Sequence, residues 1–261
     1  MLIAYMATAL LAGSPSRPAP CPPIIGAERL LTTTPRWLIV GEPHGTNEVP
    51  EAFGDLVCAI SKHRAVTVAL EQPVSEQAAI DTFMASDGGM EATAAFLRSP
   101  IWTNAMKDGR SSRAMFRLFE RLRQFQEEGR INRVVAFQPK SATGAAAFEQ
   151  AMADVLLQAA GRRVMVVALV GNVHAGRQLV SFGGPTYLPM AALLPEAGTI
   201  TLDAQTQGGE QWACMSMTEC GPQRLKKVGT GQRGVIIGRK GESFYTGVLG
   251  LGSPATVSRP R

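Results

Sequence analysis

The segment Val164–Val170 (VMVVALV) is apolar at every position, and a polar run that contains glycine follows it directly. A strand without a polar face must be covered on both sides, which is typical of the interior of a parallel sheet. Three shorter strand-like runs precede it, at residues 36–40, 66–70 and 134–137. Apolar residues at helical spacing lie between and after these runs, at residues 50–64, 75–85, 111–128 and 145–160. This alternation predicts an α/β fold with a mainly parallel central sheet and helices on both faces.

The C-terminal third has a different pattern. Three short strand-like runs follow Leu194, at residues 199–203, 235–237 and 244–248, and glycine-rich turns separate them. The polar stretch at residues 207–232 reads as a long loop. We therefore expect antiparallel additions to the sheet in this part of the chain.

The net charge of +5 comes from one end of the sequence. Residues 222–261 hold eight basic residues and one acidic residue, so the other 221 residues are close to neutral. Aromatic residues are only 6% of the chain, which argues against a stacking platform for nucleic acid. The apolar fraction of 45% excludes disorder, collagen and coiled coil as descriptions of the whole chain.

The N-terminal segment resembles an export signal. Residues 1–13 are apolar and rich in small residues, and residues 14–23 contain five prolines. We expect residues 1–23 to be a signal peptide with a proline-rich leader, and residues 24–261 to form a single α/β domain. The predicted location is the periplasm or the extracellular space. No other stretch is apolar for long enough to span a membrane, so no transmembrane span is expected in the mature chain.

The four cysteines form no zinc or CxxC pattern. Cys214 and Cys220 are six residues apart in a polar stretch and could form a disulfide in an oxidising compartment. Cys58 lies in an apolar helical segment, which favours a buried thiol. Cys21 falls in the predicted leader.

Polar residues follow each strand of the predicted parallel sheet. The first strand is followed by residues 41–48 (GEPHGTNE), the second by Glu71, and the fourth by residues 171–174 (GNVH). Ligands of open α/β sheets bind at the carboxyl ends of the strands. Two of the three histidines therefore lie at the expected binding edge, each in a Gly-x-x-His motif.

These residue types suit proton transfer or metal binding. His44, Glu42, Glu71 and His174 could form an acid/base site, because a carboxylate beside an imidazole changes the pKa of both groups. The same four side chains could hold a divalent metal that activates water. Asn172 could orient a substrate or donate a hydrogen bond to an oxyanion.

Further polar residues near these motifs are candidates for substrate binding. Arg110 precedes a strongly amphipathic helix and could bind a carboxylate or phosphate. The other three candidates are Trp102, Asp108 and Glu48. A helix cap at Asp108 and a solvated Arg110 explain that segment equally well.

The two histidine motifs and Glu71 resemble the superfamily of erythromycin esterases, haem-binding ChaN lipoproteins and Tiki/TraB proteins. The similarity covers roughly residues 36–176, and it implies that both motifs converge in one cleft of an α/β fold. Erythromycin esterases are hydrolases that use a His and Glu site without an obligatory metal. Tiki-type members are described as metal-dependent proteases, and ChaN-type members bind haem.

Carried over to this sequence, the resemblance makes His44 the general base or a metal ligand, with Glu42 and Glu71 as its acidic partners. Erythromycin esterases tend to have Arg-Asp before a Met-Ala pair on the helix that precedes the last motif. Here Met152-Ala153 is preceded by Phe148 and Glu149, so the acid is kept in type and the arginine is absent. Chain length and the export signal favour the ChaN-like branch.

Three functions follow from these observations. The first is an exported hydrolase-like enzyme that activates water against an ester, lactone or amide, with a small-molecule or peptide substrate and with or without a divalent metal. The alternative is an envelope protein that binds haem or a metal without catalysis. The third is an interaction module with a relic cleft. The sequence does not set the oligomeric state.

Overall fold

A computed structural model describes residues 20–103, 107–161, 163–216, 219–229, 231–238 and 243–261. The apolar core of the expected signal peptide, within residues 1–19, lies outside these described residues. Residues 20–23 of the predicted leader are described, and they lie against the folded domain.

Helices and strands alternate through the first two-thirds of the described chain. The helices are α1 (Glu28–Thr33), α2 (Glu48–Ser61), α3 (Gln77–Met84), α4 (Met90–Leu97), α5 (Pro100–Thr103), α6 (Arg113–Glu127) and α7 (Ala145–Ala159). The strands are β1 (Trp37–Glu42), β2 (Ala65–Pro73), β3 (Ile131–Gln138), β4 (Val164–Gly171), β5 (Thr199–Gln205), β6 (Gln207–Cys214), β7 (Cys220–Lys227), β8 (Gly234–Ile237) and β9 (Gly247–Gly250).

The main sheet has seven strands in the order β3-β2-β4-β1-β5-β9-β8. Every neighbouring pair is parallel except β8 and β9, which are antiparallel. The predicted fold class, a mainly parallel sheet with antiparallel additions late in the chain, is confirmed. The parallel part extends further than expected, because β5 and β9 continue it and only β8 reverses direction.

Alternate residues of β1 enter two different apolar cores. Leu38 and Val40 pack in a core that includes Phe53 of α2 and Phe119 of α6. Trp37 and Ile39 pack on the other face, with Leu156 of α7. Successive side chains of a strand point to opposite faces, so a fully apolar strand requires a covering layer on each side.

Within the polar stretch at residues 207–232, Gln207–Cys214 and Cys220–Lys227 form a pair of strands, the β6–β7 hairpin, where a long loop was expected. Strands β6 and β7 pair antiparallel, and a disulfide joins Cys214 to Cys220 at the end of the pair. Its sequence lacks the alternating apolar residues that mark a half-buried strand. The hairpin is instead attached through its backbone, because Glu210 N–H donates to Ala255 and Trp212 N–H donates to Gly45.

The last described segment, residues 255–261, runs between the loop after β1 and the start of α6. Ser258 N–H donates to the carbonyl of Gly45, and Arg113 N–H donates to the carbonyl of Arg259. Ser258 Oγ accepts a hydrogen bond from Ala114 N–H at 2.9 Å. We call this segment the C-terminal strap, since it connects two loops that carry polar groups of the site.

A second disulfide joins Cys21 to Cys58. The interpretation of Cys58 as a buried thiol was therefore wrong in its chemistry, although the residue is buried. The bond attaches the N-terminal described segment to α2. Disulfides are typical of proteins in oxidising compartments. None of the helices in the described ranges is both long and apolar enough to cross a membrane.

Candidate active site

The carboxyl ends of three neighbouring strands bring the two histidine motifs together. Strand β4 lies between β2 and β1, and Glu42 is in register with Gly171. Glu71, at the end of β2, accepts a 2.6 Å hydrogen bond from Gly171 N–H through Oε2. The turns after β1 and β4 then place His44 and His174 on either side of Glu71.

Three carboxylates alternate with the two imidazoles. Nδ1 of His44 is 2.9 Å from Glu42 Oε1, and its Nε2 is 3.4 Å from Glu71 Oε2. Nδ1 of His174 is 2.7 Å from Glu149 Oε1, and its Nε2 is 3.9 Å from Glu71 Oε1. Each imidazole is therefore held at Nδ1 by its own carboxylate, while both Nε2 atoms are directed towards Glu71.

Arg110 adds a fixed positive charge to this array. Its Nη1 is 3.3 Å from Glu71 Oε1, and its Nη2 is 2.6 Å from Asp108 Oδ2. Gln72 Nε2 donates to the carbonyl of Arg110, which fixes the short helical turn at Gly109–Ser111. The structure thus places Arg110 and Asp108 beside the two histidine motifs.

Burial and charge shift the pKa values of these groups in a consistent way. Burial disfavours protonated His44, but the negative charge of Glu71 and the hydrogen bond to Glu42 outweigh it and raise the pKa of His44 to about 10. Burial favours neutral Glu71, but the positive charge of His44 outweighs it and lowers the pKa of Glu71 to about 2. Burial raises the pKa of Glu42.

His174 behaves like His44. Burial disfavours its protonated form, but the hydrogen bond to Glu149 and the charge of Glu71 outweigh this and raise the pKa of His174. His44 is therefore positively charged at neutral pH beside an ionised Glu71, and the surroundings of His174 also favour its protonated form.

Three other candidate residues lie elsewhere. Trp102 is buried in the core, with its ring 5.4 Å from that of Phe96. Glu48 accepts a hydrogen bond from Thr256 N–H and so binds the C-terminal strap. Asn172 is exposed, and its carbonyl accepts a hydrogen bond from Tyr245 Oη–H at 3.0 Å.

Glu149 is a site residue that the sequence analysis did not select. It lies on α7 and is buried, and its second oxygen accepts a hydrogen bond from Met190 N–H at 2.7 Å. The available signal was its position before Met152-Ala153, where erythromycin esterases tend to have an acid. The contact between Glu149 and His174 depends on how α7 packs against the sheet beside β4, and no local sequence pattern predicts that packing.

The β6–β7 hairpin, also missed, forms one side of a groove of about 450 Å³ beside His44. The opposite side is formed by Asp108 and Gly109. Gly45 connects the two sides, because it has φ of +74° and a Cβ there would lie 2.2 Å from the carbonyl oxygen of Trp212. Glycine is therefore required for the hairpin to pack against the loop after β1, which carries His44.

No protein-family model matches the sequence, and no curated protein matches it significantly. The folded chain is similar to a mutant of the erythromycin esterase EreC in its open conformation. The TM-score is 0.57 at 12% identity, over 76% of this chain and 79% of that one. The chain therefore shares its overall fold with that erythromycin esterase.

Other solved structures are also similar to this chain. A Bacillus cereus protein has a TM-score of 0.58 at 10% identity, over 90% of this chain and 92% of that one. ChaN of Campylobacter jejuni, described with cofacial haem, has a TM-score of 0.44 at 11% identity, over 78% of this chain and 92% of that one. The chain spans 38% of the length of a bacterial protein toxin that it also matches.

The cluster of His44, His174 and their carboxylates does not fit a metal ion. Among the residues that the structure describes, no group of three or more His, Cys, Asp or Glu side chains is arranged to hold one. Carboxylates occupy both Nδ1 atoms, and the Arg110 guanidinium lies 3.3 Å from Glu71, where a metal would add a second cation.

Haem does not fit these histidines either. An axial imidazole must direct a ring nitrogen into an apolar slot that accepts the macrocycle. In His44 and His174, Nδ1 contacts a carboxylate and Nε2 faces Glu71. The arrangement is suited to moving protons.

Proposed function

We propose that the chain is a hydrolase in which His44 activates water against the carbonyl carbon of an ester, lactone or amide. The observation that carries this proposal is the position of His44 beside the groove, with Glu42 at Nδ1 and Glu71 near Nε2. The side chain is 25% exposed, so the ring is held by buried carboxylates and still reaches solvent.

The role of each ring nitrogen follows from these contacts. Glu42 accepts the Nδ1 proton and so leaves Nε2 as the basic nitrogen once His44 is neutral. Nε2 takes a proton from water while the water oxygen bonds to the carbonyl carbon. The tetrahedral intermediate then loses its leaving alcohol or amine, which takes that proton from His44, and a carboxylic acid is the second product.

His174 and Arg110 supply positive charge where an oxyanion would form. Nε2 of His174 is 3.9 Å from Glu71, which is beyond hydrogen-bond distance, so its N–H is available to a substrate oxygen. The hydrogen bond to Glu149 and the charge of Glu71 outweigh burial and raise the pKa of His174, which favours the protonated form. Fixed donors near a developing oxyanion are a major source of rate enhancement in acyl transfer.

The direct test is hydrolysis of a panel of p-nitrophenyl esters, lactones and anilides by wild-type protein and by the His44→Ala variant. Loss of the general base should lower kcat by about 10²–10⁴-fold. His63→Ala is the matched control, since His63 is exposed just after α2 and does not line the groove. Equal activity of the two variants would refute the role of His44.

The purified protein should also be titrated with haem, and its metal content measured without chelator treatment. The proposed hydrolase gives no Soret shift that depends on His44 or His174, and it hydrolyses its substrate after dialysis against a chelator. A Soret shift that is lost in His44→Ala would instead support the haem-binding alternative.

We also propose that the protein is exported as a single α/β domain behind a signal peptide. The two disulfides and the apolar N-terminal sequence support this location. Cleavage must leave Cys21 in the mature chain, which moves the boundary expected after residue 23 to a position before Cys21. N-terminal sequencing of protein recovered from the periplasm or medium tests this.

A further inference from the structure

The groove beside His44 has an unusually apolar side. Residues 212–216 of the β6–β7 hairpin form it, opposite Asp108 and Gly109. This side, which we call the hairpin wall, is lined by Trp212, Ala213, the disulfide-bonded Cys214, Met215 and Ser216. Polarisable sulfur and indole groups make favourable contacts with apolar and aromatic ligands.

The Met215 side chain is largely open to water. It is 69% exposed, although it lies in the same groove as the partly exposed His44. Exposed apolar surface beside convergent polar groups is characteristic of ligand sites.

The hairpin wall is held rigidly against the loop after β1. Trp212 N–H donates to the Gly45 carbonyl at 2.9 Å, and Trp212 Nε1–H donates to the Lys107 carbonyl at 2.9 Å. Beyond Trp212, a disulfide joins Cys214 of β6 to Cys220 of β7, and Met215 N–H donates to the Glu219 carbonyl at 2.8 Å. A ligand on the wall is therefore positioned relative to His44 without a loop having to order first.

We infer that the hairpin wall recognises an apolar acyl group, so that the substrates of this site are esters or amides of apolar carboxylic acids. This inference rests on the proposed hydrolase function and specifies its substrate class. The acyl chain lies along Trp212 and Met215, and its carbonyl carbon is then next to His44. Each methylene buried on the wall adds transfer free energy to binding, so specificity grows with the length of the acyl chain.

The kinetic test compares p-nitrophenyl acetate with p-nitrophenyl hexanoate. For wild-type protein, the ratio of kcat/KM for hexanoate to that for acetate should exceed about 10. Met215→Gln should lower this ratio by about 3–10-fold, since a polar amide replaces the thioether at similar length. The matched control is Met90→Gln, because Met90 is 93% exposed on α4 and should leave the ratio unchanged.

A binding test is independent of catalysis. Trp37 and Trp102 are buried, so titration with hexanoate should quench the fluorescence of Trp212, and the quenching should disappear in Trp212→Phe. Hexanoate should bind more tightly than acetate, and Met215→Gln should weaken hexanoate binding.

The outcomes separate the two proposals. If esters are hydrolysed through His44 but the chain-length ratio is near one, or Met215→Gln behaves like Met90→Gln, the hairpin wall has no role in selectivity. If hexanoate quenches Trp212 in wild type but no ester, lactone or amide is hydrolysed, the proposed hydrolase fails and the apolar site remains.

Discussion

Oε2 of Glu71 accepts a 2.6 Å hydrogen bond from the backbone N–H of Gly171, across the junction between β2 and β4. This bond fixes one carboxylate oxygen to the sheet and leaves the other towards Arg110 and His174. Glu71 is therefore the fixed centre of the site, and both imidazoles respond to its charge.

Replacing Glu71 by Gln should lower the pKa of His44 from about 10 towards 6.5, because the main attractive charge is removed. Titration of the histidine resonances by NMR would measure this shift without reference to activity. The alkaline rise of kcat/KM, which follows deprotonation of His44, should move to lower pH in the variant. An unchanged His44 titration would contradict the assignment.

The ion pair between His44 and Glu71 should make the free energy of unfolding depend on pH. The pKa of His44 is raised in the folded state, so its contribution is complete below about pH 6.5 and is lost as pH rises through about 10. The pKa of Glu71 is lowered, so its contribution is complete above about pH 4.5 and is lost as pH falls through about 2. The gap in unfolding free energy between wild type and Glu71→Gln, measured with urea, should therefore be larger at pH 5.5 than at pH 9.5.

Glu149→Gln should lower the pKa of His174, because the carboxylate at its Nδ1 loses its charge. We expect kcat to fall by about 100-fold, as the imidazole no longer presents a protonated Nε2 to an oxyanion. Asp154→Asn, an exposed substitution on the same helix, is the control. A drop in kcat without a change in the His174 titration would mean that Glu149 acts only through its bond to Met190.

Gly45→Ala should lower the free energy of unfolding more than Gly129→Ala does, although both glycines have positive φ. A Cβ at Gly129 has no neighbour within 4 Å, so that variant should lose about 1 kcal/mol from the backbone conformation alone. A Cβ at Gly45 would collide with the backbone of Trp212, which should add about 1–3 kcal/mol and displace the hairpin. Denaturant unfolding and the fluorescence of Trp212 would report the two effects separately.

Removing the Cys21–Cys58 disulfide by a double Ser substitution should lower the unfolding free energy by about 4 kcal/mol, since the bond closes a loop of 37 residues. The Cys214–Cys220 bond closes a loop of six and should contribute about 2 kcal/mol. Urea unfolding of both double variants compares them. Equal losses would show that loop length does not govern these contributions.

The sequence alone was sufficient to predict the parallel sheet and most of the polar cluster at its edge. Full apolarity of Val164–Val170 required covering layers on both faces, and parallel strands necessarily present their carboxyl ends at one edge. Glu42, His44, Glu71 and His174 therefore meet in space, as their strand-end positions implied.

The sequence predicted less well the positions of residues that depend on tertiary packing. Trp102 lies on the short helix α5 and enters an aromatic core, although its position near Arg110 in the sequence made it a candidate for substrate binding. The β6–β7 hairpin is held by backbone hydrogen bonds to Gly45 and Ala255. Backbone bonds of this kind leave no alternating apolar pattern in the sequence, so the two strands could not be predicted from it. Glu149 reaches His174 through the packing of a helix on the sheet.

The C-terminal strap has a consequence for when the site can form. The carbonyl of Gly45 receives its hydrogen bonds from Trp212 and Ser258, so the loop that carries His44 is bound by residues synthesised about 170 and 210 positions later. A chain still emerging from the ribosome, or still passing through a translocation channel, contains both histidines but not the contacts that orient them. We therefore expect the proposed site to become ordered only after the β6–β7 hairpin and the C-terminal strap have been synthesised and have bound the loop that carries His44.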